Sequence, residues 1–177
     1  MLGIDPGSQK TGWGLVEEIG GELRGLGSGV AAGGPGGISR RLGAIAIAFE
    51  KLLDRWAPDI VALERAFLGK SVSSALRLGE VRGVILAGAG RRGLPVVDYP
   101  PATVKVAVAG AGGAKKELVA LGVGSVLGIE VGAGDATDAL AVAICHLRHA
   151  RFSRRLHSSV VVARSGRTRA RVVRGGR

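Results

Sequence analysis

The sequence predicts an α/β domain built on a five-stranded mixed sheet with helices on both of its faces. Three strand-like segments come first in the chain, and helical and strand-like segments then alternate. Hydrophobic residues make up 46% of the 177 residues, which is enough to bury one core. We therefore place a single domain at residues 1–150 and treat residues 151–177 as an arginine-rich, disordered C-terminal tail.

The first three strands are predicted at residues 2–5, 11–18 and 22–30. Turns that contain glycine separate them, and short connections of this kind favour an antiparallel meander. The stretch "AAGGPGGISR" that follows has the composition of a loop, with flexible glycines between Gly33 and Gly37.

The remaining elements follow from hydrophobic periodicity and from helix-breaking residues. Apolar residues recur at helical spacing from Ile38 to Trp56, Pro58 ends that helix, and the buried strand "DIVALE" ends at Glu64. We predict a second helix at residues 71–91, a fifth strand in "LPVVDY", and further helices at 101–109, near 115–127 and at 135–149.

Two acidic residues stand at the ends of predicted strands, Asp5 after the first and Glu64 after the fourth. Functional sites of open α/β sheets gather at the carboxyl ends of strands, so the two acids could face one crevice. Each acid also has an ordinary explanation. Asp5-Pro6-Gly7 is common turn chemistry, and Glu64 could be a solvated charge where its strand leaves the core.

A second pair of acids, Asp135 and Asp138, lies on one face of the last predicted helix because the two are three residues apart. An N-terminal capping box explains this pair equally well and is compatible with metal binding. Four carboxylates without nearby His or Cys ligands favour hard cations such as Mg²⁺. Two such ions roughly 4 Å apart can promote phosphodiester hydrolysis, so we predict metal-assisted cleavage of a nucleic-acid backbone.

The net charge of +11 lies mainly in the C-terminal tail. Residues 151–177 contain nine Arg and no acid, whereas residues 1–150 hold 16 Lys and Arg against 14 acids. Such a tail suits a polyanionic partner, and a disordered solubilising extension explains it equally well. We expect residues 158–177 to be mostly disordered.

The compartment is predicted from hydropathy and from cysteine usage. No apolar run is long enough to span a bilayer, and we expect no signal peptide before the first strand. The single cysteine, Cys145, lies in an apolar helical stretch and has the character of a small buried hydrophobe. We therefore expect a cytoplasmic protein with no membrane contact.

Four segments in order resemble the RuvC family of Holliday junction resolvases: "LGIDPGSQKTGWGLV", "DIVALERAFLGKSVSSALRLGEVRGVIL", "VVDYPPATVKVAVAGAGGAKKELV" and "DATDALAVAICH". The resemblance covers about residues 2–149. It implies an RNase H-like fold, a homodimer, and paired symmetric nicks in four-way junction DNA during recombination and repair. It also implies dependence on Mg²⁺, with two ions per site and Mn²⁺ as a substitute, and coupling to a RuvA–RuvB branch-migration complex.

The resemblance assigns roles to individual residues. The family's catalytic, metal-binding acids fall on the four carboxylates Asp5, Glu64, Asp135 and Asp138. Its junction-core aromatic residue falls on Phe67, which could stack on bases or fold onto its own domain. Its DNA-binding lysines fall on Lys105 and Lys116. Further candidates for DNA contact are Lys70, Arg77 and Arg82, because a nearly neutral domain needs local cations to hold DNA.

Other protein classes explain part of the sequence. "GIDPGSQKTGWG" also resembles the phosphate loop of actin-like ATPases, but those proteins need two such domains around the nucleotide. A non-catalytic nucleic-acid binder explains the arginine-rich tail but not four converging acids. The nearer alternative is another RNase H-like nuclease acting on RNA or other branched nucleic acid.

Overall fold

The computed structural model describes residues 1–65 and 72–167 and contains one five-stranded sheet. The strands are β1 (Leu2–Asp5), β2 (Lys10–Ile19), β3 (Glu22–Ala32), β4 (Val61–Glu64) and β5 (Val96–Tyr99). Their order across the sheet is β3-β2-β1-β4-β5. β1, β2 and β3 pair antiparallel, whereas β4 pairs parallel with both β1 and β5. The predicted meander and the predicted mixed sheet are therefore confirmed.

The helices lie close to their predicted positions, with one exception at the C-terminal end. They are α1 (Ile38–Trp56), α2 (Val72–Arg91), α3 (Pro101–Ala109), α4 (Lys116–Leu127) and α5 (Asp135–Arg167). Among the residues that the structure describes, no helix is both long enough and apolar enough to cross a membrane.

The prediction that the last helix ends near His149 was wrong, because α5 continues to Arg167. Between Asp135 and Ser165 the sequence contains neither glycine nor proline, so nothing in it stops the helix. Residues up to Arg167 are thus assigned to α5, and residues 168–177 lie outside the described residues, so the expected disorder of the tail stays a prediction. The chain divides into two compact units, Met1–Leu147 and Arg148–Arg177. The proposed domain boundary at residue 150 stays a prediction.

Alternating side chains of the central strands feed two separate cores, because successive residues of a strand point to opposite faces. On one face, Leu2 and Ile4 of β1 and Leu63 of β4 pack with apolar residues of α1 and α2. On the other face, Ala62 of β4 packs with residues of α3, α4 and α5. Helices thus cover both faces of the sheet, as the sequence predicts.

Glycines in β1 and β2 let the first half of α5 lie almost on the sheet backbone. Gly3 and Gly14 are cross-strand partners. A Cβ at Gly3 would overlap the Ala139 carbonyl, and one at Gly14 would stand 2.6 Å from the backbone nitrogen of Leu140. A Cβ at Gly12 would overlap the carbonyl of Asp135, the first residue of α5. The absence of side chains at these positions therefore sets how close the start of α5 comes to the sheet.

Candidate active site

Asp5 and Glu64 lie side by side because their strands are parallel neighbours. Ile4 is paired with Leu63 across the β1–β4 ladder, so the following residue of each strand reaches the same edge of the sheet. The two side chains share a hydrogen bond, which the Asp5 carboxyl donates and the Glu64 carboxylate accepts. The fold thus brings the two strand-end acids into contact.

The first turn of α5 carries the other two acids to the same place. Asp5 is the cross-strand partner of Gly12, and α5 begins directly over that glycine. Asp135 and Asp138 both lie in this first turn, where the helix dipole favours negative charge. The turn is anchored by the Thr137 hydroxyl, which donates to the Gly132 carbonyl at 2.6 Å.

One pocket of about 350 Å³ is lined by all four acids together with three lysines. The lysines are Lys10, Lys105 and Lys116. Lys105 and Lys116 are residues that the sequence predicts for this site, whereas Lys10 was not predicted. A signal for Lys10 was present, because this cation opens the strand that follows the Asp-Pro-Gly turn and so returns beside the first acid.

Burial and mutual repulsion raise the pKa values of the strand-end acids. The pKa of Asp5 rises to about 8, chiefly through desolvation and then through the negative charges of Glu64 and Asp138. Desolvation also raises the pKa of Glu64, against the opposing effects of its hydrogen bond from Asp5 and of the nearby lysines. At neutral pH the Asp5–Glu64 pair therefore holds a proton.

The Lys116 ammonium provides the counter-charge for the helix acids. Its Nζ lies 3.3 Å from Oδ2 of Asp138, and this contact raises the pKa of Lys116. Lys116 also acts electrostatically on Glu64, as does Lys105. The pocket therefore places positive groups within reach of any phosphate that enters it.

The chemistry of the four carboxylates fits a hard divalent cation, since the set offers oxygen ligands alone. Within residues 1–65 and 72–167, no group of three acid, His or Cys side chains has the spacing to hold a single ion. Binding an ion here would replace the proton shared by Asp5 and Glu64 and would compete with Lys116 for Asp138.

A second pocket of about 470 Å³ is also lined by Asp5 and Glu64 and reaches the first turns of α2. Arg77, a predicted DNA contact, lines it and forms an exposed ion pair with Glu80 at 3.5 Å. Such exposed pairs are weak, about 0–1 kcal/mol, so Arg77 stays accessible to a phosphate. Two further predicted DNA contacts, Phe67 and Lys70, lie outside the described residues.

Arg82 has a different role from the DNA contact that the sequence suggested. Its Nη1 donates to the Glu64 backbone carbonyl at 2.9 Å, and its Nη2 donates to Oδ1 of Asp98 at 2.8 Å. Its side chain is only 14% exposed. Arg82 therefore holds the ends of β4 and β5 together and is not assigned to DNA binding.

Two polar groups further along α5 stand apart from the acids. His146 Nδ1 lies 3.0 Å from the Tyr99 hydroxyl and is not among the residues that line the acidic pocket. Cys145 is fully buried, and desolvation raises the pKa of its thiol to about 12. Neither residue supplies a ligand to the acidic pocket.

Comparison with known proteins agrees with this geometry. Residues 1–146 match the family model described as crossover junction endodeoxyribonuclease RuvC. The chain is 44% identical over 150 residues to crossover junction endodeoxyribonuclease RuvC of Chlorobaculum parvum, and the match covers 83% of this chain and 80% of the relative.

Solved structures show the same relationship. The structure of Thermus thermophilus RuvC superposes with a TM-score of 0.78 at 35% identity and covers 86% of this chain and 97% of that one. T. thermophilus RuvC in complex with Holliday junction substrate also gives a TM-score of 0.78, at 36% identity, and covers 86% and 94% of the two chains. The chain belongs to the RuvC family of crossover junction endodeoxyribonucleases.

Proposed function

We propose that the protein resolves Holliday junctions, cutting four-way DNA by paired symmetric nicks during recombination and repair. The observation that supports this most strongly is the convergence of four carboxylates from β1, β4 and α5 in one pocket of a RuvC-family chain. The T. thermophilus relative, which shares the fold at 36% identity, is described in complex with Holliday junction substrate.

We assign metal binding and catalysis to Asp5, Glu64, Asp135 and Asp138. Two Mg²⁺ ions, with Mn²⁺ as a substitute, would when bound lower the pKa of the attacking water and stabilise the leaving oxygen. The protein's own part is positional. Parallel strands hold Asp5 and Glu64 together, and the close approach of α5 to Gly12 brings the helix acids to them.

The lysines of the pocket provide the complementary charge. Lys105 and Lys116 line it beside the acids, so a phosphate brought to the carboxylates would meet ammonium groups as well. Arg77 extends this positive lining toward α2. Phe67 and Lys70 complete the proposed DNA-binding set as predictions from the family resemblance.

Symmetric cleavage requires a second copy of the chain, since a four-way junction has two equivalent strands to cut. We propose that α2 forms the contact of a two-fold dimer. Val72 and Leu76 are 77% and 65% exposed there, and the glycines Gly79 and Gly83 face open space. Exposed apolar residues beside such small ones allow two helices to approach closely.

We propose a RuvA–RuvB complex as a partner of the protein and the cytoplasm as its compartment. A single buried cysteine such as Cys145 suits the reducing environment of the cytoplasm.

Cleavage assays on three substrates test the proposal. A four-way junction, a linear duplex of the same sequence and a structured RNA are each incubated with the protein, with Mg²⁺ or with EDTA. We expect symmetric nicks in the junction with Mg²⁺, and none in the duplex, in the RNA or with EDTA. Preferential cleavage of the RNA would instead support the alternative RNase H-like nuclease, which the junction complex of the relative does not favour.

A further inference from the structure

Lys10 lines the acidic pocket and also a third concavity, distinct from the two described above. This concavity has a volume of about 360 Å³ and is bounded by Gln9, Lys10, Arg41 and the glycine-rich loop at residues 34–36. None of the residues that line it is acidic. We call it the basic groove, defined by Lys10, Arg40, Arg41 and the loop 33–37. Because Lys10 lines both concavities, the basic groove adjoins the acidic pocket.

The loop of the basic groove is fixed to the sheet by specific contacts. The Gly33 amide donates to the Gln9 carbonyl at 2.8 Å, next to the ladder pair of Lys10 and Ala32. A Cβ at Gly33 would stand 2.8 Å from the Ser8 carbonyl oxygen, so only glycine allows this approach. The loop therefore has a defined position beside Lys10.

Two arginines from the first turn of α1 pack onto the same loop. Arg41 donates from Nε to the Gly36 carbonyl at 3.0 Å. Arg40 lies against Gly36 as well, with its Cδ 3.1 Å from where a Cβ would stand. The first turn of α1 contains no acid, so the helix N-terminus adds to the positive potential of the groove.

Several arginines elsewhere on the described surface form ion pairs, whereas the cations of the basic groove do not. Arg91 and Arg92 pair with Glu50, and Arg24 pairs with Glu22. Within residues 1–65 and 72–167, no ion pair forms at Lys10, Arg40 or Arg41. Lys10 stands on the border with the acids of the acidic pocket, whereas Arg41, with Arg40 beside it, belongs to a concavity whose lining is free of acids. The loop beside them has few side chains and leaves space for an extended polyanion.

We propose that the basic groove binds the sugar–phosphate backbone of a DNA arm next to the strand being cut. This proposal rests on the proposed function, which brings DNA to the adjoining acidic pocket. Lys10 lies between the carboxylates and the arginines, so a strand that leaves the pocket past Lys10 meets Arg41 and Arg40 next. Contacts of this kind position the duplex and do not depend on base sequence.

The first test compares two double variants that remove the same charge. Arg40→Gln with Arg41→Gln alters the basic groove, whereas Arg24→Gln with Arg55→Gln alters the far ends of β3 and α1. DNA affinity is measured over a range of salt concentrations on a junction and on a linear duplex. The groove variant should lower the slope of log affinity against log salt by up to roughly 0.9 for each phosphate that the protein no longer neutralises, and the control should not.

The cleavage kinetics of the groove variant should show weaker substrate binding but an unchanged maximal rate. The groove variant should raise the substrate concentration needed for half-maximal cleavage several-fold and leave the rate at saturating junction unchanged. Equal salt slopes for the two double variants would overturn the proposal. The duplex measurement decides the matter even if the wild-type protein cuts no junction, so a failure of the proposed function is distinguishable.

A second variant separates DNA contact from a structural role. Ser39 is exposed in the first turn of α1 beside Arg40, and Ser39→Glu adds a negative charge where the helix dipole favours one. We expect Ser39→Glu to melt at the same temperature as the wild type or higher while binding duplex DNA several-fold more weakly. Unchanged DNA affinity in a folded Ser39→Glu protein would contradict the proposal.

Discussion

Arg82 and Asp98 form an ion pair of 2.8 Å between α2 and β5, and the same guanidinium also binds the Glu64 carbonyl. One side chain thereby fixes the strand end that presents a proposed catalytic acid. Removing it leaves a carboxylate and a carbonyl without their hydrogen-bond donor.

We expect Arg82→Met to lower the free energy of unfolding by about 1–3 kcal/mol, the usual effect of unpairing a part-buried polar group. Junction cleavage should fall further than junction binding, because the acid moves while the DNA-binding cations stay in place. Arg82→Lys should recover part of the cleavage. Thermal denaturation and single-turnover cleavage measure both effects. Arg77→Met, which removes only an exposed pair, should keep wild-type stability; an equal drop there would contradict the argument.

Amide substitutions of the four acids should abolish cleavage and preserve binding. The variants are Asp5→Asn, Glu64→Gln, Asp135→Asn and Asp138→Asn. Each keeps the shape of the side chain but removes the charge that a divalent cation requires, whereas binding depends on cations elsewhere. Gel-shift and cleavage assays on one junction decide this. Mg²⁺-dependent cleavage at wild-type rates in any two variants would show that the site is wrongly assigned.

Asp5→Asn should also stabilise the protein at alkaline pH. The pKa of Asp5 is raised from 3.8 to about 8, so the folded protein retains a proton that the unfolded chain has released. Stability of the wild type therefore falls as pH rises through this interval. In the presence of a chelator, Asp5→Asn should melt several degrees above the wild type at pH 8, and the gap should close toward pH 4. A lower melting temperature for Asp5→Asn at pH 8 would contradict the pKa shift.

Gly12→Ala should inactivate the protein without altering any acid. The added methyl group would overlap the Asp135 carbonyl and push the start of α5 away from the sheet. Overpacking of this kind costs about 1–3 kcal/mol, and the helix acids would move with their backbone. Gly43→Ala on α1, where a Cβ meets open space, is the matched control and should retain full cleavage. Wild-type cleavage by Gly12→Ala would show that the close approach is not required.

The proposed dimer contact is tested by a charge on α2. Leu76→Glu should shift the protein toward a monomer in light scattering and slow the second nick of a junction, because a buried charge disfavours the contact. Ile47→Glu changes an α1 residue of similar exposure, 60%, and should leave the mass unchanged. A wild type that is monomeric while it makes paired nicks would refute the dimer.

The order and bounds of most elements could be predicted because they depend on local signals. Pro58 and the glycine turns mark the ends of elements, and hydrophobic periodicity distinguishes helix from strand between them. The end of α5 could not be placed in this way. The segment from Val160 to Val162 has high β-propensity, which argues against a helix there. No glycine or proline before Gly166 marks an end, so the sequence offers no local signal for where α5 stops.

The acids were predictable because strand ends and helix starts are themselves visible in the sequence. Other parts of the site depend on tertiary contacts between distant segments. Arg82 looks like any solvated helix cation until α2 is packed across β4 and β5. Likewise, Gly12 resembles an ordinary strand glycine until α5 is known to begin directly above it. Sequence patterns identify chemical groups, whereas packing decides which of them act on the site.

The burial of Cys145 gives the protein a practical use in spectroscopy. A thiol that is fully buried and has a pKa of about 12 forms almost no thiolate near neutral pH, so maleimide reagents should not react with it. A second cysteine placed at an exposed position outside the basic groove, such as Ser125→Cys on α4, would then accept a fluorophore while the rest of the sequence stays unchanged. Energy transfer from that single dye to labelled DNA arms would follow the approach and release of a junction in real time.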